Sequence, residues 1–307
     1  MNTALIRHAA CALHDVGDHH PECPERLDAI SDRLLCAGLD GLLDHHEAPE
    51  VTREQLLRVH HADYVDRVLA AGPSHGLVHL DPDTALMPAT LPAALRAAGA
   101  AVLAVDLVMQ GRAGNAFCAI RPPGHHAVPG AAMGFCIFNN VAVAAAHALA
   151  TYGLQRIAIV DFDVHHGNGT EDMFVDDARV LVCQTFQHPF YPYQGADTRS
   201  SHIVNVPLAA GSGSSQFRAA IRDHWLPALE AFAPQMLFIS AGFDAHRDDP
   251  MAYLKLVDGD YAWVTRQLTD MAIRHCGGRI VSTLEGGYDL SALGRAVGEH
   301  IRVLIEN

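Results

Sequence analysis

Four short apolar runs, each stopping abruptly at a cluster of polar and glycine residues, constrain this chain more than any other feature. They are Asn115–Ile120 before RPPGHH, Arg156–Val160 before DFDVHHGNG, Gln235–Ser240 before AGFDAH and Arg279–Leu284 before EGGYD. Runs that are apolar without alternation keep both faces away from water, the pattern of strands in a parallel sheet covered on both sides. Between them lie Ala- and Leu-rich stretches of helical length, Leu91–Met109, Val141–Tyr152, Gln216–Phe232 and Tyr261–His275. Such residues lose little on entering a helix. Strand and helix in alternation predict an α/β fold, with a mainly parallel central sheet flanked by helices on both faces. Loops at the carboxyl ends of such strands are where ligands collect. The four polar clusters are therefore expected to meet in space.

The 307 residues suit a single domain spanning residues 1–307, since no repeat, low-complexity block or long linker divides them. Half are hydrophobic and 18% are charged, enough apolar surface for a core. A formal net charge of −14 argues against a broad nucleic-acid footprint, which needs clustered Lys and Arg, and would favour cationic partners. The seven cysteines (11, 23, 36, 118, 136, 183 and 276) are odd in number, scattered and without a CxxC pair, so a reducing compartment is expected. The opening stretch MNTALIRHAACALHDVGDHH carries His, Arg and Asp where a secretory leader needs an unbroken apolar segment. No run of about 20 uninterrupted apolar residues follows, so no membrane span and a cytoplasmic location are expected.

The richest cluster is Asp161-Phe162-Asp163-Val164-His165-His166-Gly167-Asn168-Gly169. Alternate residues of an extended chain share a face, which groups Asp161, Asp163 and His165. A carboxylate and an imidazole on one face are two ligands for a zinc-like cation. Asp244, in SAGFDAH, would complete a site of two carboxylates and one imidazole, with coordination positions left for water and a substrate oxygen. In RPPGHH, prolines and a glycine favour an irregular loop that can aim His125 and His126 into one cleft. Two imidazoles beside a metal-bound water suit a general base and an acid or electrostatic stabiliser. In LEGGYD, paired glycines let the backbone come close and present the Tyr288 hydroxyl to a substrate carbonyl. Taken singly each motif has an ordinary reading as a cap, a turn or a solvated pair, and the chain holds 21 histidines.

Taken together and in order, RPPGHHA, DFDVHHGNGT, SAGFDAH and LEGGYD, with HHPECPERL (His19 to Leu27) and GFCIFNN (Gly134 to Asn140), resemble the histone deacetylase family of the arginase/deacetylase superfamily. The resemblance implies a zinc-dependent hydrolysis of acetyl-amine amides. Asp163, His165 and Asp244 match the family's metal ligands, His125 and His126 its tandem histidines, and Tyr288 its transition-state tyrosine. Asp161 matches the carboxylate that orients the first histidine. Asn168 stands where the class II-like branch has Asn, and a neutral amide there leaves His126 less biased towards protonation. Phe135 and Tyr191 match paired aromatic walls of an acyl-amine channel, the Gly134 carbonyl an acceptor for the substrate N–H, and Arg26 a residue lining a cavity beneath the metal. Asp83 and Met251 fall among the substrate-binding positions.

The resemblance also implies a structural K+ at Asp161 and the main-chain carbonyls of Asp163 and His165. Two departures bear on it: Gln184 replaces a common Ser and Phe186 a common His, although an amide oxygen can still ligate potassium. The ion that the resemblance implies at the main site is Zn2+, with Fe2+ an alternative in the cell. The implied partner is an acetylated lysine-containing peptide or protein, or a small acyl-amine, with no direct nucleic acid and no membrane. An acetylpolyamine amidohydrolase on the same fold is the nearest alternative, but its acidic gatekeeper would stand where this chain has the uncharged Met251. A ureohydrolase would need more bridging carboxylates. A phosphatase would need a phosphate cradle, and a catalytically silent acyl-ligand module would have no use for the full ligand, histidine and tyrosine set.

Overall fold

The computed structural model describes residues 2–17 and 20–307; His19, the first residue of the HHPECPERL block, lies outside the described residues. The strands, in chain order, are β1 (Thr3–Arg7), β2 (Leu43–Glu47), β3 (Val78–His79), β4 (Ala85–Leu86), β5 (Asn115–Cys118), β6 (Ile157–Asp161), β7 (Val180–Gln187), β8 (Ile203–Leu208), β9 (Met236–Ala241) and β10 (Ile280–Leu284). Eight of them form one sheet in the order β2-β1-β5-β10-β9-β6-β7-β8, and every neighbouring pair is parallel. β3 and β4 make a small antiparallel hairpin.

Side chains of alternate strand residues enter two different cores. Leu5, Phe117, Val160 and Ile239 join one, whereas Ile6, Cys118, Ile159 and Phe238 join the other. That period of two is the pleat itself, with each face sealed by helices. The four expected strands are the central ones, β5, β10, β9 and β6. Strands β1, β2, β7 and β8 were not expected, and the two edges, β2 and β8, are only partly buried.

Register positions the polar clusters. Asp161 pairs with Ser240, Ser240 with Thr283, and Thr283 with Cys118, so the four central strands end at one level. RPPGHH, DFDVHH, AGFDAH and EGGYD leave the sheet side by side.

The helices follow expectation with one break. Asn139 caps Asn140–Tyr152 by accepting the Ala142 N–H at 3.0 Å, and that helix stops at Gly153 in the left-handed conformation, φ 64°. The stretch expected as Gln216–Phe232 is divided into Ser214–Ala220, a five-residue π turn Ile221–Trp225, and Leu226–Phe232. Pro227 lacks an N–H and crowds the preceding turn, so the ladder widens ahead of it. Helix Thr90–Met109 is 20 residues long with mean hydropathy 1.7 over its most apolar window, long and apolar enough on average to cross a membrane although it is not an unbroken apolar run. Arg96 and Asp106 interrupt it, and it packs as a core helix against Asn140–Tyr152 and the sheet.

Candidate metal and acyl-transfer site

Beyond the end of β6 the backbone loses its ladder partners, and the DxDxH spacing replaces them. Asp161 Oδ1 accepts the Asp163 N–H at 3.0 Å, and Asp163 Oδ1 accepts the His165 N–H at 2.9 Å. Each carboxylate turns the chain two residues on, as Asp does in loops. From the end of β9, Asp244 Oδ1 accepts the Val164 N–H at 2.9 Å, which ties the two loops together.

Asp163, His165 and Asp244 each offer one ligand atom, and the three atoms lie within 4.8 Å of one another. His165 Nδ1 is 3.1 Å from Asp163 Oδ1 and 3.2 Å from Asp244 Oδ2. Asp244 Oδ2 is buried and makes no hydrogen bond of acceptable geometry. Two buried carboxylates held together are costly unless a cation joins them. In the bare protein, burial and then the Asp163 charge push Asp244 up to about 7. Burial also works against a charged His165, but contact with Asp163 and Asp244 outweighs it and raises the imidazole to about 10. Two hard oxygens and one imidazole suit a zinc-like divalent ion. The backbone comes close enough to enforce this: a Cβ on Gly242 would stand 2.0 Å from Asp163 Oδ2, and one on Gly286 would stand 2.1 Å from Asp244 Oδ2.

The tandem histidines differ in their partners. His125 Nδ1 is 2.8 Å from Asp161 Oδ2, and His126 Nδ1 is 2.8 Å from Asn168 Oδ1. Burial disfavours charge on His125, yet the Asp161 and Asp163 carboxylates raise it to about 10. His126 is held well below its ordinary value by burial and by the neighbouring His125 and His165. The Asn168 oxygen can only accept, so His126 Nδ1 carries the proton and Nε2 is left with its lone pair.

A pocket of about 230 Å³ opens over these groups, lined by Asp83, His125, His126, Gly134, Phe135, His165, Phe190, Tyr191, Met251 and Tyr288, among others. Every position expected to touch substrate is therefore in one cavity. Phe135 has φ 67°, a left-handed conformation that non-glycine residues avoid. It is held there by the β3–β4 hairpin: Gly134 N–H donates to Asp83 Oδ1 at 3.2 Å and Phe135 N–H to Thr84 Oγ1 at 3.1 Å. Asp83 thus supports the wall as well as lining the pocket. The Gly134 carbonyl accepts from the Cys136 thiol at 3.3 Å.

The histone deacetylase domain model matches residues 20–304. The chain belongs to the histone deacetylase family. It is 38% identical to the histone deacetylase-like amidohydrolase of Pseudomonas aeruginosa, over 99% of this chain and 90% of that protein. It is 37% identical to the polyamine deacetylase HDAC10 of Mus musculus and 36% identical to the type-2 histone deacetylase 2 of Dictyostelium discoideum. Each match covers 99% of this chain, which spans 48% of the mouse protein and 21% of the Dictyostelium one. The crystal structure of the HDA15 HD domain superposes with a TM-score of 0.94 at 36% identity, over 100% of this chain and 88% of that one. Histone deacetylase family membership makes this chain a hydrolase of the deacetylase and amidohydrolase kind.

Three residues in this histone deacetylase site carry no signal of their own in the sequence. Phe190 stacks on His165, ring centroids 5.6 Å apart and planes 23° apart, and forms a wall next to Tyr191. HPFYP offers two adjacent aromatics, and only the loop path shows that both face the pocket. Glu285 Oε2 accepts the Gly124 and His125 N–H groups at 2.7 and 3.1 Å, fixing the tandem-histidine loop. Glu22 is buried between two guanidinium groups: Arg121 Nη2 donates to it at 2.8 Å and Arg26 Nη1 at 3.0 Å. Arg26 continues beneath Tyr288, its guanidinium carbon 5.1 Å from the ring centre. At the position implied for a monovalent cation, Gln184 Oε1 accepts the Gly167 N–H at 2.8 Å, and Phe186 packs edge-on against His166.

Proposed function

We propose that this chain is a zinc-dependent deacetylase of acetylated lysine side chains and similar acyl amines, in peptides, proteins or small molecules. The observation that carries the reading is the Asp163, His165 and Asp244 cluster beside His125, His126 and Tyr288 in one pocket. A zinc ion held by those three residues would polarise the acyl carbonyl and lower the pKa of a water to about 7. Ferrous iron is the alternative ion, since imidazole and carboxylate donors serve both.

The protein's own groups supply the proton traffic. His126, neutral and with Nε2 free, takes the proton of the attacking water and returns it to the departing amine nitrogen, so that acetate and a free amine leave. His125, held by Asp161, stays positively charged and stabilises the negative charge that develops. The Tyr288 hydroxyl is pushed well above its ordinary value by burial and by Asp244, so it remains a donor to the carbonyl oxygen as that oxygen gains charge. Phe135, Phe190 and Tyr191 form an apolar slot suited to a methylene chain.

A potassium ion is proposed beside Asp161. Asp161 Oδ2 and Gln184 Oε1 both lie close to Gly167, 2.4 and 2.9 Å from where its Cβ would stand, and the Gln184 amide oxygen would take the part of a hydroxyl beside the ion. The single-domain span 1–307 and a reducing, cytoplasmic location belong to the same proposal, in keeping with seven free cysteines.

Met251 at the rim favours lysine over a polyamine, whose second cation would seek a carboxylate there. An acetylpolyamine substrate is the second reading, favoured by Asp83 in the pocket lining. Turnover of an acetyl-lysine peptide and of acetylspermidine by protein reconstituted with Zn2+ or Fe2+ tests both. A preference of about tenfold or more in kcat/KM for the peptide is expected. A preference for acetylspermidine would reverse the assignment, and no turnover of either would defeat it.

A further inference from the structure

We propose that Asp249 is a positioning residue for Tyr288: one buried carboxylate locks the tyrosine loop and the Met251 rim into a single unit. The proposal rests on the reading of Tyr288 given above. Asp249 is 5% exposed, and it accepts three hydrogen bonds, all from backbone N–H groups. Oδ2 accepts from Tyr288 at 2.6 Å and from Asp289 at 3.1 Å, and Oδ1 accepts from Met251 at 2.9 Å.

The tyrosine loop needs such a hold. Gly286 and Gly287 precede Tyr288 and have no side chains with which to pack the backbone, and Gly287 has φ 126°. From the other side Arg26 Nε donates to the Gly287 carbonyl at 2.7 Å, and Arg26 Nη2 donates to that of Glu285. Buried opposite charges therefore grip the loop by its N–H groups on one side and by its carbonyls on the other. Positioning of this kind matters because a displacement of about 1 Å at a reacting group can cost on the order of 100-fold in rate.

The chemistry of the clamp separates two substitutions. Three N–H donors converge on two oxygens, and a carboxylate satisfies all three because it only accepts. An amide has one oxygen. In Asp249→Asn that oxygen serves the paired Tyr288 and Asp289 donors, which leaves an NH2 facing the Met251 N–H. The Asn variant thus loosens the rim more than the tyrosine. Asp249→Ala releases both.

The test is a double-mutant cycle with Tyr288→Phe in the metal-loaded protein, together with amide hydrogen exchange of the segment 285–290. Asp249→Ala is expected to lower kcat by about 10- to 100-fold, and most of that loss should vanish in the Tyr288→Phe background. Asp249→Asn should raise KM while lowering kcat less than Ala does. Exchange at 285–290 should quicken in Asp249→Ala at unchanged exchange of the central strands. Independent multiplication of the Asp249 and Tyr288 effects, an Asn variant as slow as Ala, or unaltered exchange at 285–290 would each overturn the proposal. If Asp249→Ala fails to fold, Asp249→Ser, whose single short hydroxyl cannot hold the three N–H groups, takes its place in the cycle and in the exchange measurement against the same criteria. A wild-type protein that hydrolyses no acyl amine defeats the reading of the site instead, and exchange alone then decides the clamp.

Discussion

At the scale of single residues, the site separates two adjacent histidines by their partners. Against burial, Asp161 favours a charged His125, whereas burial and the neighbouring His125 and His165 keep His126 neutral, its partner Asn168 bringing no charge to oppose them. Asn168→Asp places a carboxylate against His126 Nδ1 and stabilises its imidazolium, so its pKa rises. The base is then protonated at higher pH, and the acidic limb of the kcat/KM profile is expected to move up by about one unit or more. A profile unchanged on its acid side would exclude His126 as the titrating base. Tyr288→Phe removes the hydroxyl donor and should lower kcat on the order of 100-fold or more in a stopped assay, with metal content unchanged. The residue types and their spacing were readable in the sequence. Phe190, Glu285 and Glu22 were not, because nothing local marks an aromatic or a glutamate as facing a cavity rather than solvent.

At the scale of elements, the decisive objects are the loops that leave β6, β9 and β10. Their glycines are spacers: where Gly286 runs past the metal cluster, a methyl group would lie 2.1 Å from Asp244 Oδ2 and 2.7 Å from Asp163 Oδ2. Gly286→Ala is therefore expected to reduce metal affinity by about tenfold or more while the sheet remains folded, measured as bound zinc per chain against circular dichroism. Full metal occupancy at limiting zinc would show that the loops can part without cost. The central strands and most helices were legible because they are continuous apolar runs or long Ala-rich stretches. The outer strands β1 and β2 were hidden. β2, Leu-Asp-His-His-Glu, has one buried residue in five and carries no sheet pattern of its own. The π turn at Ile221–Trp225 follows from Pro227, a breaker that was visible but whose effect depends on the register of the turn.

At the scale of the whole molecule, buried polar links tie the layers together. His300, fully buried, joins the helix Leu290–Ile305 to Thr265 at 2.6 Å and to Ser282 of β10 at 2.9 Å. Burial lowers its pKa to about 3 from an ordinary 6.5, so the folded protein keeps it neutral where the unfolded chain binds a proton. Its contribution is therefore present above pH 6.5 and is lost as pH falls towards 3. Relative to His300→Gln, the wild-type protein is expected to lose about 1.4 kcal/mol of stability per pH unit between roughly pH 6 and pH 4. Urea midpoints of the two proteins at pH 7, 6 and 5 check this, and a constant gap would contradict a neutral buried imidazole.

By itself the sequence determined the fold class and the chemistry on offer. Continuous apolar runs can only be satisfied by burial on both faces, and carboxylates, imidazoles and a tyrosine at strand ends fall where parallel sheets collect ligands. Tertiary structure alone decided the distances. The register Asp161 to Ser240 to Thr283 to Cys118 levels four strand ends, and backbone N–H groups from other loops reach the Asp163 and Asp244 carboxylates. Such contacts join residues far apart in the chain, as Val164 is from Asp244 and Gly286 from Asp163. Local patterns record what a residue prefers, not which distant backbone will meet it.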